Sequence, residues 1–294
     1  MEELLGEFGE YLKVIKKMTP NTCASYKLDI KKLFSYARDR EVTEIKNITE
    51  DMISDYVRGL YDSHLSSSTI ARNICSIRAF YKFALENGNV NRDVSEFLEA
   101  PASPQNEPRI LTLKEAEYLL SIPDDAYIKG MRDKAILELM YATGIRASEI
   151  IGLNLKDLDL QLDLITVRNN KCVRQVPYGQ RARKALLKYL QDARPAWVLD
   201  ESQESIFVNY KGEKLSRQGL WKMMKNYVKK AGIREDVTPD ILRNSFAVHM
   251  IENGADIESV KTMLGISSSS QLIKHAANKS NKLRDVYNRA HVLG

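Results

Sequence analysis

Apolar and polar positions alternate with a helical period through the first hundred residues of the chain. Apolar side chains recur every three or four residues over residues 8–15, 26–37 and 49–60, and Thr19-Pro20 separates the first two stretches. This spacing places the apolar side chains on one face of a helix, and Thr49 suits the cap of the third stretch. The pattern predicts a bundle of amphipathic helices.

A fourth helical pattern begins at Ser66 and combines an apolar face with hydroxyl and basic side chains. The residues predicted to face inward are Ile70, Ile74, Ile77, Phe80 and Tyr81. The residues predicted to lie on the other faces are Thr69, Arg72, Asn73, Ser76 and Lys82. Hydroxyl groups at a helix start, followed by spaced arginines, favour phosphate contact, although a solvated charged face is the alternative. The candidates for phosphate contact are Ser68, Thr69, Arg72 and Arg78.

A linker at residues 101–108 divides the chain. Three prolines and small polar residues preclude a helix there and favour an extended tether. The predicted domains are therefore residues 1–100 and residues 109–294. Beyond the linker, Thr112 and Glu115 have the spacing of a capping box at the start of the next helix.

The period changes from helical to alternating within the second domain. Residues 160–168 alternate like a strand, residues 169–171 form a turn, and residues 173–177 return as a second strand. Helical patterns resume afterwards, one of them capped by Ser216. The predicted fold class is mainly α with a small β-hairpin or sheet.

Two arginines of the second domain lie beside helix breaks in distant segments. Arg146 follows Gly144, where the apolar helix over residues 135–141 stops and restarts. Arg243 lies on a helix that Thr238-Pro239 begins. Two planar guanidinium groups suit a tetrahedral phosphate held between them. The apolar positions of the second helix are Ile241, Leu242, Phe246, Ile251 and Val260.

The segments around these arginines resemble the tyrosine recombinase family, which includes phage integrases and Xer-type recombinases. They are Ala-Thr-Gly-Ile-Arg-Ala-Ser-Glu-Ile at 142–150, Thr-Pro-x-x-Leu-Arg-x-Ser-Phe-Ala-x-His at 238–249, and Glu-Asn-Gly-Ala-Asp at 252–256. Arg146 and Arg243 match the family's two catalytic arginines. The similarity covers nearly the whole chain. It implies a helical, SAM-like core-binding domain and a mixed helical, catalytic-type domain that close around duplex DNA.

The chain departs from the family at both histidine positions and at the nucleophile position. Asp240 stands where the resemblance places a histidine three residues before the second arginine, and Ile266 stands at the second histidine position. The family's tyrosine nucleophile lies nine residues after that second position and twelve residues before a terminal tyrosine, here Tyr287. Both spacings lead to His275, so no tyrosine occupies the nucleophile position.

The resemblance also implies a catalytic lysine on the hairpin and a DNA-facing helix after it. The lysine position falls on Asn169 or Asn170, and the adjacent Lys171 is the candidate to reach the phosphate, a solvated lysine being the alternative. Arginine and glutamine suit base contacts in the major groove. The candidates for DNA contact on that helix are Arg217, Gln218, Lys222 and Lys225. The alternative is that these side chains form a solvated charged face.

These departures predict a protein that binds DNA without cutting it. Asp240 puts a carboxylate where a proton shuttle belongs, and Ile266 offers neither donor nor acceptor. The expectation is a non-enzymatic, sequence-specific double-stranded DNA-binding protein, a transcriptional repressor or other regulator from a phage or mobile element. One alternative is an active recombinase with an unorthodox nucleophile, His275 or Tyr287. The other is a scaffold for protein contacts.

The retained arginines and the last segment each allow two interpretations. Arg146 and Arg243 either bind a DNA phosphate or pair with Asp240, which would relieve their mutual repulsion. The segment after His275 is predicted to end in a helix that carries Tyr287 as a structural aromatic. That helix either covers its own domain or mediates self-association.

Composition limits the remaining functions. The chain has 294 residues and a net charge of +5, which permits nucleic-acid binding without requiring it. Cys23, Cys75 and Cys172 lack metal-ligand spacing and are expected as reduced thiols, and no pattern indicates a cofactor, a metal or a small-molecule substrate. Neither a membrane span nor a secretion leader is predicted, so the expected location is the cytoplasm, at the nucleoid.

Overall fold

The computed structural model describes residues 1–101, 108–169, 173–200, 202–233 and 237–266. The chain divides into two compact units, Met1–Asn106 and Glu107–Gly294. Helices dominate both units and one small sheet lies in the second, so the predicted mainly-α fold class is confirmed. The predicted linker lies almost entirely outside the described residues, and the predicted domain limits stay predictions. Within the described ranges, no helix has the length and apolar character needed to span a membrane.

The first unit is a helical bundle, as the sequence predicts. Its helices are α1 (Glu2–Val14), α2 (Pro20–Arg38), α3 (Glu50–Asp62) and α4 (Ser67–Glu86). The side chains of Thr19, Thr49 and Ser66 each accept a hydrogen bond from the N–H three residues later, which caps α2, α3 and α4. In the core the rings of Phe34 and Phe80 pack edge to face, with centroids 5.3 Å apart.

Two polar residues of α4 lie in the core, although the pattern predicts them on open faces. Asn73 and Ser76 are only 2% and 0% exposed. The Asn73 amide donates to the carbonyl of Thr69, and the Ser76 hydroxyl lies 3.0 Å from a carboxylate oxygen of Asp29. Hydrogen bonds to a helix carbonyl and to a buried carboxylate make inward packing of these side chains acceptable. The prediction was wrong for both because apolar periodicity does not reveal such partners.

The second unit surrounds its sheet with helices. The helices are α5 (Leu113–Ser121), α6 (Ile128–Thr143), α7 (Ala147–Gly152), α8 (Gly179–Lys188), α9 (Arg217–Lys230), α10 (Pro239–Glu252) and α11 (Ile257–Leu264). The strands are β1 (Leu158–Asp159), β2 (Leu164–Arg168) and β3 (Val173–Pro177), antiparallel in the order β1-β2-β3. The predicted capping box of Thr112 and Glu115 begins α5.

The sheet begins earlier than the alternating pattern predicts. Residues 160–163 form a turn between β1 and β2 instead of continuing one strand. The Asp159 carboxylate accepts hydrogen bonds from two N–H groups of this turn, at 2.9 and 3.0 Å, and Asp163 adopts a φ of 55°. The single-strand prediction was therefore wrong over the turn. The hairpin of β2 and β3 is confirmed, with Val167 opposite Arg174.

Gly144 ends α6, as the sequence predicts. Its φ is 59°, and a Cβ atom there would lie 2.4 Å from Phe246 and 2.6 Å from Leu264. Both the left-handed backbone and the close approach therefore require glycine. The Thr238 cap begins α10, also as predicted. Val260 lies instead on α11, because a glycine with positive φ and a new cap separate the two helices.

Candidate functional site

Arg243 lies at the centre of the site, on α10, and is only 5% exposed. Its Nη1 donates to the carbonyl of Gly144 at 2.6 Å, and its Nη2 donates to the carbonyl of Leu264 at 2.7 Å. These carbonyls belong to the ends of α6 and α11, where backbone oxygens lack helical partners and carry partial negative charge. The guanidinium of Arg243 therefore joins two helix ends and is fixed by them.

Arg146 lies beside this centre but remains accessible. It precedes the first residue of α7, and its side chain is 41% exposed. The Glu149 carboxylate accepts the backbone N–H of Arg146 at 2.8 Å and lies 3.6 Å from the Arg146 guanidinium. The side chain is thus oriented by one carboxylate while much of its guanidinium still faces solvent.

Arg174, on β3, is a third arginine of the site and is absent from the sequence-based candidates. Its Nη1 and Nη2 donate to the two oxygens of Glu149 at 2.9 and 2.8 Å, and its Nε donates to the Met263 carbonyl at 2.7 Å. Arg174 is 7% exposed. The signal that could have found it is strand alternation, which puts Arg174 on the same buried face as Val176.

The charges of these residues act on one another. Burial, and next the positive charge of Arg146, lower the pKa of Arg243 to about 10, so it remains a cation at neutral pH. Burial alone raises the pKa of Glu149, but hydrogen bonds from Arg174 and from the Arg146 N–H outweigh burial and hold that pKa at about 2. Arg146 and Arg174 therefore hold the Glu149 carboxylate, and the charge of Arg243 lies close enough to interact with all three, which leaves net positive charge for an anion.

Asp240 does not form the ion pair that one interpretation of the sequence requires. Its side chain is exposed, and within the described ranges no ion pair joins it to Arg146 or Arg243. Its charge raises the pKa of Arg243 without contact. The carboxylate that orients Arg146 is Glu149.

The other predicted catalytic positions are only partly within the described residues. The Asn169 amide donates to Glu149 at 3.3 Å, so the end of β2 reaches the site. Ile266 is half-buried and packs against the apolar residues of α10 and α11. The positions outside the described residues are Asn170, Lys171, His275 and Tyr287.

The predicted DNA-contacting residues of α4 and α9 differ in what holds them. Ser68 and Arg78 are exposed, and Arg78 donates to the Leu98 carbonyl at 3.3 Å. Thr69 is half-buried, and Arg72 pairs with a buried carboxylate. On α9 the exposed candidates are Arg217, Gln218, Lys222 and Lys225. Contact between these side chains and DNA stays a prediction.

Models of two protein families match the chain in succession. The N-terminal SAM-like domain of phage integrases matches residues 5–88, and the phage integrase family matches residues 109–282. The second match contains Arg146, Arg174 and Arg243. Together the two matches cover most of the sequence.

Named relatives extend over nearly the full length of this chain. Tyrosine recombinase XerD of Staphylococcus epidermidis is 36% identical over 295 residues, which covers 99% of each chain. Tyrosine recombinase XerD of Halalkalibacterium halodurans is 37% identical over 292 residues, covering 98% of this chain and 97% of the relative. The XerH site-specific recombinase, in a post-cleavage complex with palindromic difH substrate, has a TM-score of 0.73 at 18% identity, covering 98% of this chain and 84% of that one. This last likeness concerns the fold alone.

These relatives correct the functional prediction made from the sequence. The expectation of a non-enzymatic repressor or regulator was wrong, since relatives at this identity and coverage are named as recombinases. That expectation rested on the substitutions at Asp240, Ile266 and His275 taken together. It included Arg146 and Arg243 but not Arg174, which pairs with Glu149. The chain belongs to the phage integrase family, as an Xer-type tyrosine recombinase.

Proposed function

We propose that this protein is a site-specific DNA recombinase, which cuts and rejoins duplex DNA through a covalent protein–DNA intermediate. The observation that carries the proposal is the arginine cluster. Arg243 is fixed by two helix ends, Arg146 is accessible beside it, and Glu149, itself held by Arg174, orients Arg146. The XerD relatives support the same reaction class.

The cluster suits a phosphodiester both before and during cleavage. Arg146, Arg174 and Arg243 carry three positive charges, which the buried Glu149 and the exposed Asp240 balance only in part, so a bound phosphate lowers the repulsion among the arginines. Charge on the phosphate oxygens grows as a nucleophile approaches phosphorus. Donors already fixed in place stabilise that charge without reorganising, and the buried Arg243 is held in this way.

The reaction needs no external co-reactant. A nucleophile on the protein forms a bond to phosphorus, and the bond from phosphorus to one bridging deoxyribose oxygen breaks. That oxygen takes a proton and leaves as a hydroxyl group. The reverse step, with the hydroxyl group of a second strand as attacker, releases the protein and joins the strands.

Two residues of the last segment are the candidate nucleophiles. His275 occupies the position that both family spacings indicate, and its imidazole would form a phosphoramidate. Tyr287 is the only tyrosine after Ile266, and its phenol would form a phosphodiester. Lys171, adjacent in sequence to the position of the family's lysine, is the candidate to donate the proton to the leaving oxygen.

The test begins by recovering the DNA site. Genome-wide crosslinking in the native cell and gel shift on the enriched sequence define it, and a duplex nicked close to the cleavage position then traps any covalent intermediate. We expect a denaturation-resistant adduct that Arg243→Ala abolishes and that either His275→Ala or Tyr287→Phe also abolishes. A protein that binds its site tightly but forms no adduct on any nicked duplex would refute the proposal.

Double-stranded DNA is therefore the proposed partner, with a cytoplasmic, nucleoid-associated location. Self-association through the segment after His275 also belongs to the proposal, because a strand exchange between two duplexes requires more than one cleaving protomer. The mass of the protein–DNA complex on the recovered site gives the number of protomers bound. A complex that holds only one protomer per site would contradict self-association.

A further inference from the structure

Arg72 of α4 is held at one corner of its guanidinium. Its Nη1 donates to Asp29 Oδ2 at 2.6 Å and to the Ser25 carbonyl at 3.4 Å. The Arg72 side chain is 37% exposed, whereas the Asp29 side chain is fully buried. Within the described part of the first unit, Nε and Nη2 of Arg72 have no hydrogen-bond partner. These two nitrogens form one edge of the guanidinium, the edge that binds a phosphate in a bidentate manner.

Asp29 depends on this arrangement. Its Oδ2 also lies 3.0 Å from the Ser76 hydroxyl, and its Oδ1 is buried without a hydrogen-bond partner in the described chain. Burial raises the pKa of Asp29, whereas Ser76 and Arg72 lower it. If Arg72 moved away, a buried carboxylate would lose its counter-ion, which is strongly unfavourable. Arg72 therefore stays on Asp29 when its free edge is used.

The surroundings of the free edge suit a phosphate. Ser68 and Thr69 lie four and three residues before Arg72, so their side chains share one surface of α4 with it. The hydroxyl groups of Ser66 and Thr69 lie 2.8 Å apart at the start of this helix. One of these hydroxyl groups donates to the other, and the hydroxyl groups and the guanidinium lie on the same side of α4.

We propose that Asp29 is a positioning residue, which holds the Nη1 corner of Arg72 so that the Nε–Nη2 edge binds one DNA phosphate. The inference rests on the proposed function, since it assumes that the first unit contacts duplex DNA. Asp29 itself touches no DNA. It fixes a flexible side chain in advance and so reduces the entropy lost on binding.

Asp29→Asn tests this by the sign of its effect. The substitution keeps the shape of the side chain and removes one negative charge, so electrostatics alone would strengthen DNA binding. Loss of positioning weakens binding instead. Fluorescence anisotropy with a labelled mixed-sequence duplex, between about 50 and 200 mM salt, measures both the affinity and its salt dependence.

We expect Arg72→Gln to weaken binding about tenfold at low salt and to reduce the salt slope by about one. Asp29→Asn should weaken binding about threefold, and in the Arg72→Gln background it should have no further effect. The matched control is Asp55→Asn on α3, because Asp55 pairs with Arg58 at 3.1 Å in an exposed position. It makes the same change of charge and should leave binding unchanged or slightly tighter.

Thermal unfolding of every variant separates lost positioning from lost folding. If Asp29→Asn does not fold, Asp29→Glu replaces it, because that variant keeps the carboxylate and displaces it by one methylene. We expect Asp29→Glu to weaken DNA binding and to have no further effect in the Arg72→Gln background. If a folded Asp29 variant binds DNA as tightly as the wild-type protein or more tightly, this inference is overturned and the proposed function is not affected. A wild-type protein that shows no salt-dependent duplex binding overturns the proposed function as well.

Discussion

Glu149 is the buried anion that holds Arg146 and Arg174 at the candidate site. It is 6% exposed, it receives two hydrogen bonds from Arg174, and it orients the backbone and side chain of Arg146. A buried carboxylate in this position is favourable only while its partners remain. Stability and phosphate binding therefore depend on the same residue.

Glu149→Gln should lower the free energy of unfolding by about 3–5 kcal/mol at pH 7, since it leaves the buried Arg174 without a counter-ion. Urea unfolding checks the value. The matched control is Glu258→Gln, whose carboxylate is exposed and pairs with Lys261 within one turn of helix. The control should change stability by less than about 1 kcal/mol. Equal losses in the two variants would contradict the central role of Glu149.

The pKa of Glu149 also predicts how stability depends on pH. Its folded-state pKa of about 2 lies below its ordinary value near 4.5. The carboxylate therefore contributes stability above pH 5, about 3 kcal/mol at most, and this contribution is lost as the pH falls from about 5 to 2. In Glu149→Gln that part of the acid dependence should be missing. A wild-type profile that matches the variant through this range would contradict the assigned pKa.

Ile266 should limit the rate of cleavage, because it has no group that exchanges protons. Ile266→His introduces such a group at the position where the family places one, and we expect the rate of adduct formation to rise about tenfold or more. Quenched time courses on the nicked substrate measure the rate. Ile266→Leu is the control of similar size and should leave the rate unchanged. A histidine variant no faster than this control would show that proton transfer there is not limiting.

At the scale of the element, the break between α6 and α7 positions Arg146 and supplies a carbonyl to Arg243. Gly144→Ala should cost about 3 kcal/mol, through left-handed strain and contact with Phe246 and Leu264. Gly232→Ala is the matched control, since its φ of 62° is similar but its surroundings are open. It should cost only about 1 kcal/mol. Chemical denaturation of both variants gives the difference, and similar values would rule out a role for the close approach.

Helix α9 presents its basic side chains to solvent above a buried apolar face. If the basic face of α9 contacts DNA, the double substitution Lys222→Gln with Lys225→Gln should reduce the slope of log affinity against log salt by about two. It should change the free energy of unfolding by less than about 0.5 kcal/mol. Lys156→Gln with Lys188→Gln is the control, because those lysines pair with Glu204 and Asp125. An unchanged slope for the α9 variant would contradict the DNA-facing assignment.

Local pattern predicted most of these elements, because helix caps and periodicity act over a few residues. Thr49, Thr112, Ser216 and Thr238 cap the helices that their positions indicate. The role of Arg174 was not predictable in the same way. Its partner Glu149 lies 25 residues away, and the Met263 carbonyl lies 89 residues away. Contacts over such distances follow from the folded arrangement and leave no local period.

At the scale of the whole molecule, the family assignment and the substitutions at individual positions lead to different expectations. The two arginines that the sequence identifies do lie in one charged cluster, which the pKa of Arg243 reflects. The combined departures at Asp240, Ile266 and His275 predicted a loss of catalysis. Comparison over the full chain shows instead relatives named as recombinases. The resemblance over nearly the full chain outweighs these departures.

Mass spectrometry of the protein after reaction with a nicked DNA substrate tests the recombinase assignment most directly. The expected result is a peptide from residues 267–294 that carries a nucleotide remnant on His275 or Tyr287. The remnant should be absent when Arg243 is replaced by alanine, because the phosphate then lacks its fixed donor. Tight binding of the same substrate without any covalently modified peptide would contradict the assignment.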